Sequence, residues 1–335
     1  MIKKFMVYQA PKELKEDDLL AEMGNYPCRV PTSEVTTGWA GGYAISEPAD
    51  EQNSLLGSQL YVQLVEGERK VPPTIIKAMM GKVKKVRLKQ TGQEYLGRKE
   101  LAELKKEVMD TLLEQTLPSY DGMTVVRADR DRYLVETTSE NKIDKMVAFL
   151  RDAAGVRFVP CTPEALLGGK AIRALSFGGV GDAAGTGLGS DFFTYLLMRS
   201  QACGDDQILI EGPLHFAGEG SGAHQVVVSK GNPFAADEYK AALKDGKRLV
   251  KAKISIGMGE EVLSCTFNSE LFALTSIKYP SKDLTADRLS QNQTQVQQGI
   301  GAADVLFGKF QEFCKRMRKD PAKVNAEMQD WVDQL

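Results

Sequence analysis

The side chains that most often do chemistry are scarce in this chain. Two histidines, His215 and His224, and five cysteines, Cys28, Cys161, Cys203, Cys265 and Cys314, are scattered through 335 residues. With Glu211, Glu219 or Cys203 nearby the histidines could be drawn as metal ligands, but their spacing fits no helical or finger pattern, and a Ser-His-Asp triad has little to draw on. No cysteines form a C-x-x-C pair, which speaks against a disulfide framework or a zinc ribbon and for single thiols in a reducing compartment. Asp129, Asp131 and Glu136 are the carboxylates a two-metal nuclease would need. Asp129 and Asp131 flank Arg130 where a hairpin turn is expected, however, and Asp is favoured in turns for conformational reasons. The polar turn is the better reading. The segment 178–189, GGVGDAAGTGLG, has the glycine density of a phosphate cradle. No Gly-Lys-Ser/Thr closes it and it does not open a helix after a strong strand, so it reads as a flexible loop or linker.

Binding chemistry is better represented. Residues 74–89 have helical periodicity, with Ile76, Met79, Met80, Val83 and Val86 on one side and Lys77, Lys82, Lys84, Lys85 and Lys89 on the opposite arc. Lysines at this spacing could track the phosphates of a nucleic acid; they could equally be a solvated helix face. Few aromatic residues interleave them, which favours contact with a duplex backbone over stacking on single strands. A second basic cluster, Lys309, Lys315, Arg316, Arg318 and Lys319, lies where it could also complement a helix C-terminus.

These residues need elements to carry them. Thr91-Gly92 stops the first helix, and a second follows over 98–116 with Leu101, Leu104, Val108 and Leu112 as its apolar stripe. Each helix would be about 25 Å long, enough for a projecting helical hairpin. Strands are expected at 2–9, at 59–66 (half-buried, by its period-two alternation) and in a hairpin over 123–138. Helices are expected at 141–154, 191–200, 235–244 and 302–317. Residues 26–53, with Gly38 and Trp39, look loop-like, and Pro321 starts a tail. Hydrophobic residues make up 42% and charged residues 26% of the chain, enough for an ordinary core. With 43 Lys+Arg against 45 Asp+Glu the pI is near 5.9. That balance permits nucleic-acid binding only if the cations are gathered on one surface. No apolar run approaches the roughly 20 residues that span a bilayer, and the N-terminal apolar run is too short for a signal peptide.

The order of these elements, together with FMVYQ at 5–9, YPC at 26–28, Gly38-Trp39, the helix after VPPTIIK, GRKELAELKKEVMDTLL at 97–113 and VVVSKGNPFAADEYKAALKDGK at 226–247, resembles the bacterial recombination-associated RdgC family. The resemblance implies crescent-shaped subunits that pair into a ring-like homodimer with a basic inner surface. It also implies sequence-tolerant binding of double-stranded DNA, opposition to RecA-type strand exchange, and no established catalytic residues. Lys230 is carried over as a DNA contact from a base segment that is more basic in relatives. The loop 114–120 has lost the arginine that relatives carry there.

The expected fold is thus α+β, with central antiparallel sheets and a projecting helical hairpin, in subunits that the resemblance pairs into a ring-like dimer. Its parts are a central domain (1–73 and 120–166), a helical tip (74–119), a Gly-rich linker or insertion (167–190) and a base domain (191–335). The expected function is non-enzymatic duplex DNA binding that modulates recombination, in the cytoplasm at the nucleoid. Its partners would be duplex DNA, a second copy and a recombinase, without metal, cofactor or membrane. Two alternatives stay open. One is a metal-dependent DNA exonuclease using Asp129, Asp131 and Glu136; the other is a module that binds a recombinase or phage protein and touches DNA little.

Overall fold

A computed structural model of the chain describes residues 2–32, 35–167, 175–177, 187–202, 207–218, 224–229, 231–280 and 287–335. The N-terminal half runs β1 (Met6–Gln9), α1 (Glu16–Gly24), β2 (Thr36–Gly41), β3 (Leu55–Leu56), β4 (Gln59–Glu68), α2 (Pro73–Thr91), α3 (Arg98–Gln115), β5 (Ser119–Arg127), β6 (Arg132–Val135), α4 (Glu140–Ala154), β7 (Val159–Pro160) and α5 (Pro163–Leu166). The C-terminal half continues with α6 (Leu188–Ala202), β8 (Ile208–Ala217), β9 (Gln225–Val228), α7 (Asp237–Lys244), β10 (Arg248–Met258), β11 (Glu261–Asn268), β12 (Ala273–Lys278), α8 (Arg288–Lys319) and α9 (Pro321–Asp333). The protein is α+β, and the strand pairs in both of its sheets are antiparallel.

The first sheet has the order β2-β4-β5-β6-β1-β7, with β3 added to β4. Its strand β4 is not half-buried as its alternation suggests. Leu60, Val62 and Leu64 face Trp39, Met123, Val125 and the apolar sides of α1 and α4. Tyr61, with Val126 and Leu134, faces the core that the C-terminal half also fills. A sheet covered on both faces buries both sets of alternate residues, and the period-two contrast fades. The loop-like segment around Trp39 is strand β2, with Trp39 wholly buried. Gly38 makes this approach possible, because a Cβ there would sit 2.4 Å from the backbone of Pro27.

The second sheet has the order β12-β11-β10-β8-β9. Its inner residues, among them Ile210, Leu214, Ile254, Leu263 and Phe267, pack with Phe192 and Phe193 of α6 and Phe307, Phe310 and Phe313 of α8. Phe272 takes a φ of 48°, an uncommon backbone for a bulky residue. Its ring meets Phe310 at a centroid distance of 5.2 Å, Phe267 at 5.3 Å, Phe192 at 5.7 Å and Phe307 at 5.9 Å. This packing outweighs the local backbone cost.

Helix α8 begins fourteen residues before its expected start. Asp287 caps it, accepting from the N–H groups of Leu289 at 2.8 Å and Ser290 at 2.9 Å, which satisfies two donors of the first turn. The tail after Pro321 is helix α9, which buries Val324, Met328, Trp331 and Val332 on one face. Within the expected linker 167–190, Leu175 and Phe177 are buried, and α6 already starts at Leu188. A buried ion pair secures that segment. Arg248 Nε donates to Asp191 Oδ1 at 2.8 Å, its Nη2 donates to the Leu175 carbonyl at 2.5 Å, and its guanidinium lies 3.8 Å from the centre of the Phe177 ring. The Leu175 N–H donates to the other Asp191 oxygen at 2.9 Å. Desolvation pushes the Asp191 carboxyl up, against the pull of Arg248 and this N–H.

The two sheets are joined at the N-terminus. Phe5 and Leu274 exchange backbone hydrogen bonds of 2.8 and 3.0 Å, the Ile277 N–H donates to Lys3 O at 3.0 Å, and the Tyr279 hydroxyl donates to Ile2 O at 2.8 Å.

Candidate nucleic-acid interface

Helix α2 starts at Pro73, whose fixed φ and missing N–H suit the first helical turn. It ends at Gly92, which takes a φ of 68°, the left-handed conformation that glycine adopts without a Cβ penalty. Ile76, Met79, Met80 and Val83 pack against Val71, Val108, Leu112 and Leu113, so α2 and α3 lie against one another. The rest of α2 carries Lys77, Lys82, Lys84, Lys85, Arg87 and Lys89 and no acidic residue. Arg87 turns toward α3 and pairs with Glu107 at 2.8 Å.

Lys77, Lys82, Lys85 and Lys89 are exposed, and Lys84 is half-buried at the flank. None of the five makes an ion pair among the described residues. Lys82, Lys85 and Lys89 fall within about 60° of arc, with Lys77 and Lys84 in a second row beside them. From Lys77 to Lys89 the helix rises about 18 Å, which matches roughly five phosphate steps along one strand of a duplex. Such a row can contact a backbone without reading bases.

The root of the helix pair is held by a residue that sequence reasoning missed. Arg69, just beyond β4, donates through Nη1 to the carbonyls of Leu113 (2.9 Å), Glu114 (2.9 Å) and Thr116 (3.0 Å), and through Nε to Pro31 O (2.8 Å). One guanidinium thus caps the C-terminus of α3, where carbonyls lack helical partners, and ties it to the sheet. Nothing in local spacing marks Arg69, since its partners lie far along the chain in both directions. Loop 114–120 has no cation of its own but is braced by one.

The other candidate groups are not brought together. Asp129 accepts from the Arg130 N–H (2.7 Å) and pairs with Arg132 (3.3 Å), and these contacts hold its carboxyl below the usual range. Asp131 accepts from Gln9 Nε2 at 2.6 Å at the same end of β6. Glu136 lies past the other end, accepting from Thr124 Oγ1 (2.6 Å) and the Lys3 N–H (3.3 Å). Five extended residues, about 16 Å, separate Asp131 from Glu136. Among the described residues no group of three or more His, Cys, Asp or Glu could hold a metal ion.

His215 on β8 sits opposite Lys251 of β10, and burial and that charge push its pKa down. Burial pushes the thiols of Cys161 and Cys314 up to about 11 and that of Cys265 to about 12, far from a reactive thiolate. In the C-terminal cluster Arg316 is committed to Glu327 (2.8 Å) and the Tyr195 hydroxyl (2.5 Å), while Lys315, Arg318 and Lys319 are exposed at the end of α8. Lys230, Cys203, Glu219 and residues 178–186 lie outside the described residues.

The comparison with protein families is decisive for the N-terminal half. Residues 1–165 match the family model described as "Putative exonuclease, RdgC". Over these residues the chain belongs to the RdgC family. The matched part carries the whole first sheet, the α2–α3 pair and Arg69, and so the basic row of this RdgC chain lies within family territory. No curated protein matches the chain. None of its described helices is long and apolar enough to cross a membrane.

Proposed function

We propose that this RdgC-family chain is a sequence-tolerant double-stranded DNA-binding protein that holds duplex along the lysine row of α2 and performs no chemistry on it. The carrying observation is that α2 collects six cations and no anion in a protein whose overall charge is balanced. Its apolar side is used on α3 and its five lysines are left without acidic partners among the described residues. Phosphates are the abundant ligand for such a row. By its family resemblance the chain acts as a ring-like homodimer at the nucleoid, with Lys230 as a further contact, and opposes RecA-type strand exchange by occupying duplex. The test is fluorescence anisotropy of labelled duplexes of differing sequence with wild type and a Lys82→Glu/Lys85→Glu/Lys89→Glu variant. Binding weakened equally on every duplex supports the reading, and unchanged affinity removes α2 from the interface.

A second reading joins the family's description as an exonuclease to the carboxylates Asp129, Asp131 and Glu136, as a metal-dependent enzyme. Asp129, Asp131 and Glu136 do not converge, which leaves it without a named site. Incubation of an end-labelled duplex with Mg²⁺ or Mn²⁺ separates the two: shortening of the strand that scales with protein concentration favours the exonuclease.

A further inference from the structure

A groove runs between α4 and the β2-β4-β5 side of the first sheet, on elements separate from the lysine row. It consists of two open hollows of about 110 and 310 Å³ that meet at Thr37, the second at the lower end of the size range of small-molecule sites. The α4 residues that line it, Asn141, Lys142, Lys145 and Phe149, fall within about 100° of arc. The core receives Ile143, Met146, Val147 and Leu150, and half-buried Phe149 packs against it as well as lining the groove. Leu64 and Met123 form an apolar floor at one end. At the other end Tyr26 and Arg29, both exposed, stand with Phe149. Among the described residues these two rings stack on no other ring and the Arg29 guanidinium has no acidic partner.

One exposed ring, Tyr26, and a planar cation, Arg29, beside the groove-lining part of Phe149, with ammonium groups further along, match an unpaired nucleotide. The rings and Arg29 accept a base by stacking, and the lysines meet its phosphates. Along α4 Lys145 is about 6 Å and Lys142 about 10 Å from Phe149, so the cations succeed the rings as phosphates succeed a base along a strand. The two carboxylates of the groove do not oppose this. Glu66 and Asp121 are register partners on β4 and β5, where like charges repel unless neutralised. Lys145 pairs with Glu66 and Lys142 with Asp121, the latter at 2.5 Å. An ammonium has three donors, and so each lysine can hold its carboxylate and a phosphate together. With Arg29 the groove carries one net positive charge.

The geometry points to this groove as a binding site for the unpaired nucleotides of a single-stranded DNA tail, distinct from the duplex row on α2. The experiment compares a blunt duplex with the same duplex bearing a short unpaired tail, 3′ or 5′, by anisotropy with the label at the far end. Wild type, Tyr26→Ala/Arg29→Ala and Lys82→Glu/Lys85→Glu/Lys89→Glu proteins are titrated. Both groove side chains are exposed, so their removal leaves the core intact. The wild type should bind one of the tailed duplexes more tightly than the blunt one, and the groove variant should lose about tenfold on it while binding the blunt duplex as before. Equal wild-type affinities for blunt and tailed DNA, or a tail advantage that survives Tyr26→Ala/Arg29→Ala, would overturn the site. The lysine variant tests the other reading separately, because it should weaken blunt and tailed DNA alike.

Discussion

Neutralising Lys82, Lys85 and Lys89 together, as Lys→Gln, gives a prediction whose size can be worked out from the structure. The three are exposed, share an arc of α2 and make no ion pair within the described protein, so each is free to release counterions from a phosphate. One phosphate contact contributes about 0.9 to the slope of log affinity against log salt, and three should contribute about 2.7. Between 50 and 200 mM salt, where log salt changes by about 0.6, that corresponds to roughly 40-fold of the wild type's loss of affinity. The variant should therefore bind more weakly at low salt and show a flatter line. Gln and Lys have similar helix propensity, and exposed substitutions of this kind change stability by less than about 0.5 kcal/mol, so the melting curve should coincide with wild type. Anisotropy titrations at four or more salt concentrations measure the slope. A slope that stays at the wild-type value, with folding intact, would refute the assignment of the row to phosphates.

Further expectations concern what holds the fold around that row. Asp191→Asn leaves Arg248 buried without its counter-charge and should cost about 3–5 kcal/mol by denaturant unfolding, whereas Asp191→Leu/Arg248→Met should recover most of the loss; equal losses would mean that packing and not charge governs the site. Arg69→Ala removes the cap from the last carbonyls of α3, and we expect a loss of about 2 kcal/mol with faster amide exchange at residues 112–117, which Arg69→Lys should restore only in part because a point charge cannot reproduce the fork. Hydrogen bonds from Lys253 and Ser255 lower the pKa of Glu211. Its contribution to stability is therefore present above the unfolded value of about 4.3 and lost as pH falls through the lower folded value. Glu211→Gln should flatten that part of the stability–pH curve, and an unchanged curve would deny the linkage.

The sequence is most legible where one face of an element is buried and the other wet. Periodicity in α2 and α3 places most of their apolar stripes, because the two helices bury only the sides they turn to each other, but Val86, expected on the apolar side, is exposed and Lys84 is half-buried. It fails where burial is all-round or the partner is remote. Trp39 reads as part of a loop because its neighbours include glycines, yet Gly38 is what lets the Pro27 backbone lie against the strand. The start of α8 is rich in Gln, and many of its contacts are polar, such as Gln297 to Gln59 at 3.0 Å and Gln298 to Glu261 at 2.9 Å, so that Val296 and Ile300 make too sparse an apolar stripe to find. Leu175 and Phe177 sit in a glycine-rich context and are held by Arg248, far downstream in the chain. At the candidate site the lysines are visible in the sequence; the Arg69 brace and the α4 groove depend on strand register and are not.

The bonds between Phe5 and Leu274 bear on how the chain can be divided. The family match ends at residue 165, but the fold has no seam there. Residues 2–5 are stitched to the edge of the second sheet, and Val7, Tyr61, Val126 and Leu134 share one core cluster with α6, α8 and α9. A fragment cut at 165 would expose that apolar face and leave its first residues without a neighbouring strand. Grafting the matched half onto another C-terminal half would succeed only if the new partner brought both an edge strand and a helix of matching shape. The unit that a sequence comparison recognises and the unit that can stand alone in water are, in this protein, different lengths of the same chain.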